Sequence, residues 1–167
     1  MKKNLLIVAV IAIFAGIFSA CDPIEPTDTD LLTQTKGWKL SAATSSPAYE
    51  FSDGTFASDL IKDGYLYDCE LDDIIYFRAN GGMDINLGEV CEEDGAAEYA
   101  SQWTLKEENG KKTLEFDIPF FHDPDVREYA DVLELTKEQL RVKFTFSDDE
   151  APAKGTYSFT LTYVPAK

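Results

Sequence analysis

The chain has 167 residues, of which 31 are Asp or Glu and 15 are Lys or Arg, giving a formal charge of −16 with 44% hydrophobic and 13% aromatic side chains. That hydrophobic share is enough to build a core, which excludes disorder of the whole chain, and the length suits a single domain. Reading residues 1–20 as a cleaved leader leaves 147 residues with 13 basic and 31 acidic side chains, a formal charge of −18; a nucleic-acid or anionic-membrane surface, both polyanions, is thereby excluded as the docking partner.

Met1, Lys2, Lys3 and Asn4 form a positively charged head, and the fourteen residues from Leu5 to Phe18 carry only apolar side chains, Ala and one Gly. A spanning helix needs about 20 apolar residues, so this run is the core of a signal peptide rather than a membrane span. Phe18, Ser19, Ala20 and Cys21 place two small residues directly before a cysteine. This resembles the lipobox of bacterial lipoproteins, although Phe18 stands where Leu or Val is usual. The resemblance implies cleavage before Cys21, a diacylglycerol on its thiol, an acylated new amino terminus (a palmitate is the usual chain) and anchoring in the cell envelope at the outer membrane. The alternative is an ordinary secretory leader followed by a chance cysteine. Residues 21–30, with Pro23, Pro26, two Thr and several acids, then read as a solvated tether.

The spacing predicts a short helical turn around Leu31 and Leu32, capped by Thr29 or Asp30. Beyond it period two recurs, broken by turn residues at intervals of about ten, as in an antiparallel all-β domain. Strands are expected at Trp38–Ala43, Ile74–Arg78, Gly82–Leu87, Tyr99–Lys106, Leu114–Ile118, Tyr129–Leu135, Leu140–Phe146 and Thr156–Tyr163. Asn109 and Gly110 close one hairpin, Thr136–Glu138 another and Asp148–Ala153 a longer one. Eight strands in meander order, each with one apolar face, favour an eight-stranded antiparallel up-and-down β-barrel over a sandwich, because closure removes exposed edges. Ser45–Tyr67 is expected to be a long excursion over one barrel mouth.

Once Cys21 is set aside, Cys69 and Cys91 are an even pair in an exported domain and read as a disulfide. A three-residue loop Ala79, Asn80, Gly81 with Gly81 left-handed gives a register in which partners sum to 160: Phe77 faces Met83, Ile75 faces Ile85 and Cys69 faces Cys91. A two-residue turn shifts the sum by one and loses the match. Closing a loop of about 23 residues contributes roughly 3 kcal/mol in the chain-entropy account. Eight acids flank the pair, Asp68, Glu70, Asp72 and Asp73 on one arm and Glu89, Glu92, Glu93 and Asp94 on the other. Asp72, Asp73, Glu92 and Asp94 form a conceivable calcium set, but no segment has the spacing and glycine of an EF-hand loop, and a solvated acidic rim is the preferred reading.

Other chemistry finds little support. His122 is the only histidine, with no second imidazole or free thiol for a metal site or a Cys–His dyad. No phosphate loop or nucleophile elbow occurs, and with 31 acids no carboxylate pair stands out. The expectation is a protein without enzymatic activity or cofactor.

Trp38, Lys39 and Leu40 after the leader, then Cys69, Asp72, Asp73, Phe77 and Gly81, then Trp103 with Leu105, then Leu114 and the closing strands from Leu133 to Tyr163, together resemble the lipocalin-like lipoproteins of Bacteroidetes. The likeness spans roughly residues 31–165. Gly37 and Trp38 are adjacent, where lipocalins proper place one residue between them. The resemblance implies a barrel in the envelope and binding of a small apolar ligand. On this reading residues 31–167 form the barrel domain, and Phe77, Trp103, Phe116, Phe144, Phe159 and Tyr163 on its inner face line the pocket or simply fill it. The competing reading is an interaction or inhibitor module that uses the acidic rim and the 45–67 segment against a basic partner.

Overall fold

A computed structural model describes residues 25–89, 100–117, 128–148 and 154–167. Helix α1 spans Asp28–Leu32. Its cap is Thr27 rather than Thr29 or Asp30: the Asp30 amide donates to Thr27 Oγ1 (3.2 Å) and the Thr27 amide donates to the Asp30 carboxylate (2.9 Å), a reciprocal box that satisfies two orphan donors. The Thr27 hydroxyl also donates to the Asp30 carboxylate (2.6 Å), and this bond first, then that from the Thr27 amide, holds the Asp30 carboxyl below its ordinary value.

Ten strands follow: β1 Trp38–Glu50, β2 Phe56–Asp59, β3 Ile74–Phe77, β4 Gly82–Asn86, β5 Ala100–Gln102, β6 Thr104–Glu108, β7 Lys111–Phe116, β8 Glu128–Leu135, β9 Leu140–Asp148 and β10 Gly155–Pro165, with a second short helix α2 at Asp68–Leu71. They form one antiparallel sheet in the order β5-β4-β3-β1-β10-β9-β8-β7-β6, with β2 beside β1. The two ends of this path, β5 and β6, are separated in the chain only by Trp103. The expected single strand at Tyr99–Lys106 is thus divided: its first part pairs with β4 and its second with β7. Trp103 marks the seam, its backbone amide donating to Gly81 O (2.9 Å) and its Nε1 to Arg78 O (2.9 Å). Counting β5 and β6 as one wall, eight walls follow one another in chain order around a nearly closed, all-β, antiparallel up-and-down barrel.

The segment expected as a loose excursion, Ser45–Tyr67, is largely built into the barrel. β1 pairs with β10 as far as Ser46↔Ser158, then leaves it and pairs with β2 on its other edge, Tyr49↔Ala57 and Glu50↔Phe56. Pro47 stands where the β10 ladder ends, so its missing amide removes no ladder bond. Ala57 and Leu60 are buried in the core, which anchors the return strand.

The register of β3 and β4 is the expected one, with Phe77↔Met83 and Ile75↔Ile85, and Gly81 adopts φ +85°. Asn109 (φ +53°) and Gly110 (φ +77°) make the two-residue hairpin between Glu108 and Lys111. Strand direction sorts the connections into two sets. Among the described residues the floor carries 33–37, 78–81, 109–110 and 136–139, and the mouth carries 51–55, 60–73, 87–89, 117 and 154. Trp38 and Leu32, both fully buried, close the floor.

Candidate binding site at the barrel mouth

All six side chains expected on the inner face are there, and all are buried: Phe77, Trp103, Phe116, Phe144, Phe159 and Tyr163 lie in the core cluster. They touch one another rather than open space. Phe77 meets Trp103 and Phe116 edge-on at centroid distances of 5.8 and 5.7 Å, and Phe144 stacks on Phe159 at 5.4 Å. Phe116 retains 0% of its surface; the wall of a lumen would keep some, so in this conformation the rings fill the barrel.

Above them the packing opens. Tyr49 sits edge-on to Tyr157 (4.8 Å) and to Phe51 (4.9 Å), and Phe51 stacks face to face on Tyr65 (3.6 Å, 8° between planes). Tyr49, Phe51 and Tyr65 are half-buried, so apolar ring surface is accessible at the end where β1 turns into β2. The Tyr49 hydroxyl donates to Asp148 (2.9 Å), and burial first, then this carboxylate, push its pKa up to about 12. Further out on the same segment Phe56 (62% exposed) and Tyr67 (68% exposed) project into solvent. Tyr49, Phe51 and Tyr65 all lie in the segment expected as an excursion, although the expected pocket residues do not include them; aromatic residues on a half-buried strand and its turn are the sequence signal that marks them.

Cys69 is disulfide-bonded, while Cys91 lies outside the described residues. Cys69 does not stand in the β3 ladder as expected but in α2, because the ladder stops at Ile74↔Asn86. Carboxylates take over there: the Glu89 amide donates to Asp72 (3.0 Å to Oδ2) and the Gly88 amide to Asp73 (3.3 Å). Gly88 is required for this clasp, since a Cβ there would lie 2.3 Å from Asp72 Cγ. The Tyr67 amide donates to Glu70 (2.6 Å). Glu70, Asp72 and Asp73 of the acidic rim therefore serve as acceptors for backbone amides. Glu92 and Asp94, the other half of the calcium alternative, lie outside the described residues, as do Cys21 and His122; among the described residues no group of three potential ligands is assembled.

An open groove of about 470 Å³ lined by Lys106, Glu108, Asn109, Lys111 and Thr113 lies at the tip of the β6–β7 hairpin, on the floor side and away from the aromatic mouth. Among the described residues no helix is long and apolar enough to cross a membrane.

No family model matches the sequence, and no curated protein matches it. Among solved structures the chain is similar to bovine odorant binding protein in complex with undecanal, at 15% identity and a TM-score of 0.42 over 88% of this chain and 78% of that one. It is also similar to the same bovine protein with a selenium-containing odorant, at 13% identity and a TM-score of 0.42 over 89% and 78%.

Proposed function

We propose that the protein is a lipid-anchored, non-catalytic binding module of the cell envelope, tethered to the outer membrane through Cys21, that takes a small apolar molecule at its barrel mouth. On this reading residues 1–20 are the signal peptide, 21–30 the tether and 31–167 the barrel domain. The observation that carries it is the half-buried aromatic group Tyr49, Phe51 and Tyr65, a platform of rings whose two hydroxyls donate to Asp148 and Thr55. The six buried rings beneath form its base and line the pocket wherever a ligand displaces packing between them. Cys91 is the proposed partner of Cys69, and the bridge then fixes the rim next to the platform.

The test combines anchoring and binding. Cys21→Ser is expected to release the protein from the membrane fraction, and membrane partition with unchanged processing overturns the anchor. Purified protein titrated with a fluorescent fatty-acid analogue is expected to show saturable binding that Tyr65→Ala weakens at least tenfold. Absence of saturable binding overturns the ligand reading. It then favours the second reading, a protein-interaction or inhibitor module, which rests on the exposed Phe56 and Tyr67 of the 45–67 segment.

A further inference from the structure

The two phenols of the mouth platform direct their protons toward carboxylates. Tyr49 donates to Asp148 at 2.9 Å, and Tyr65 donates to Thr55 Oγ1, which donates in turn to Asp53. Three amides of the adjoining turn are engaged as well: Phe51 N donates to Thr55 O, Gly54 N to Phe51 O and Thr55 N to Asp53 Oδ1, each at 2.9 Å. The hydrogen bonds from Thr55, the side-chain one first, hold the Asp53 carboxyl below its ordinary value, so it is ionised at neutral pH. Beside the accessible ring surface, then, stand acceptors and negative charge. The surrounding mouth has the same sign: among the described residues its connections hold eight Asp and Glu against Lys62 and Lys154, and Glu50, Asp59 and Asp148 close the strands next to them.

We infer that the molecule taken at the mouth is an organic cation, an apolar amine or quaternary ammonium whose head lies against the Tyr49, Phe51 and Tyr65 rings within reach of Asp148 and Asp53. The inference rests on the ligand-binding reading and narrows it to a chemical class. A carboxylate or carbonyl head group needs hydrogen-bond donors, and the two phenols and three amides named above are all committed within the protein. A cation needs no donor. It is attracted to the negative face of an aromatic ring within about 6 Å of the centroid. Here Tyr49 and Phe51 stand 4.9 Å apart with 80° between their planes, and Phe51 and Tyr65 stack at 3.6 Å, so several rings share one such volume. The carboxylates add to the attraction, because Asp148 bonds directly to the Tyr49 hydroxyl and the Debye length at physiological salt is about 8 Å. The same charges repel an anionic head, which leaves a fatty acid only the contacts of its chain.

The experiment is calorimetric titration of the full-length protein with three probes of one chain length, dodecyltrimethylammonium, dodecanol and dodecanoate, each kept below its micellar concentration. The ammonium is expected to bind saturably and at least about tenfold more tightly than the carboxylate, with the alcohol between them. Two sets of variants, checked for an unchanged circular dichroism spectrum, locate the effect. Asp53→Asn combined with Asp148→Asn keeps the acceptors and removes the charge, and Phe51→Leu keeps an apolar side chain and removes a ring; each is expected to bring the ammonium to within about threefold of the alcohol. Equal binding of all three probes, or tightest binding of the carboxylate, overturns the cation inference and leaves the apolar-ligand reading standing. No saturable binding of any probe overturns both. An ammonium preference that persists undiminished in both sets of variants is general attraction to an acidic chain and overturns the site.

Discussion

Trp38 Nε1 donates a 2.7 Å hydrogen bond to the carbonyl of Leu32, and both residues are buried at the floor of the barrel. One contact therefore satisfies a helix-end carbonyl, seats the indole and fixes α1 under the first strand. Trp38→Phe keeps most of the apolar area but leaves a buried carbonyl unpaired, a loss of about 1–3 kcal/mol. Trp38→Ala adds a cavity and is expected to cost about 3–5 kcal/mol. Urea midpoints at constant slope check the ranking, and equal midpoints for the two variants would contradict it.

The Tyr163 hydroxyl is buried without a hydrogen-bond partner among the described residues. Tyr163→Phe removes an unsatisfied polar atom while keeping the ring, so thermal unfolding is expected at the same temperature or higher, with a gain of up to about 1–3 kcal/mol. A clear loss would show that the hydroxyl has a partner in solution.

Two phenols give the alkaline limb its sign. Burial, then the Asp148 contact, raise the Tyr49 pKa to about 12, and burial raises that of Tyr163 well above the ordinary range. Below about pH 10, the unfolded value, both states keep their protons and stability is intact. As pH rises past it the unfolded chain releases protons that the folded chain retains, so stability falls through pH 12. Unfolding at a series of pH values from 8 to 12 is expected to show this decline, and Tyr49→Phe to make it shallower; a flat profile would reject the burial of both groups.

Gly88 leaves the space that the Asp72 carboxylate occupies. Gly88→Ala is expected to expel it from the Glu89 amide and cost about 1–2 kcal/mol, within the usual range for losing a capping contact. Asp72→Asn, which keeps an acceptor, should cost less, and hydrogen exchange at the Glu89 amide reports the clasp directly.

For the proposed Cys69–Cys91 bridge, the intact mass of the mature domain is expected to rise by two hydrogens on reduction. Two freely titrating thiols in exported protein would remove the bridge.

Local pattern was enough for much of the barrel. Alternation in β9 and β10 and the left-handed conformations at Gly81 and at Asn109–Gly110 are properties of a few adjacent residues, so strand positions and hairpin registers could be read from sequence. The six aromatic and apolar residues assigned to the inner face follow from the same period and are buried as expected. What the sequence could not carry were relations between distant segments. Whether those rings line a space or fill it depends on how opposite walls interdigitate, and the half-buried mouth platform depends on Phe51 meeting Tyr65 across a turn. Likewise, Cys69 leaves the ladder because Asp72 and Asp73 find amides at 88 and 89, and β5 parts from β6 because Trp103 bonds to the β3–β4 turn. Composition fixes only the net charge, whereas closure of the barrel sets Trp103 against Gly81 and Arg78, far from it in the chain.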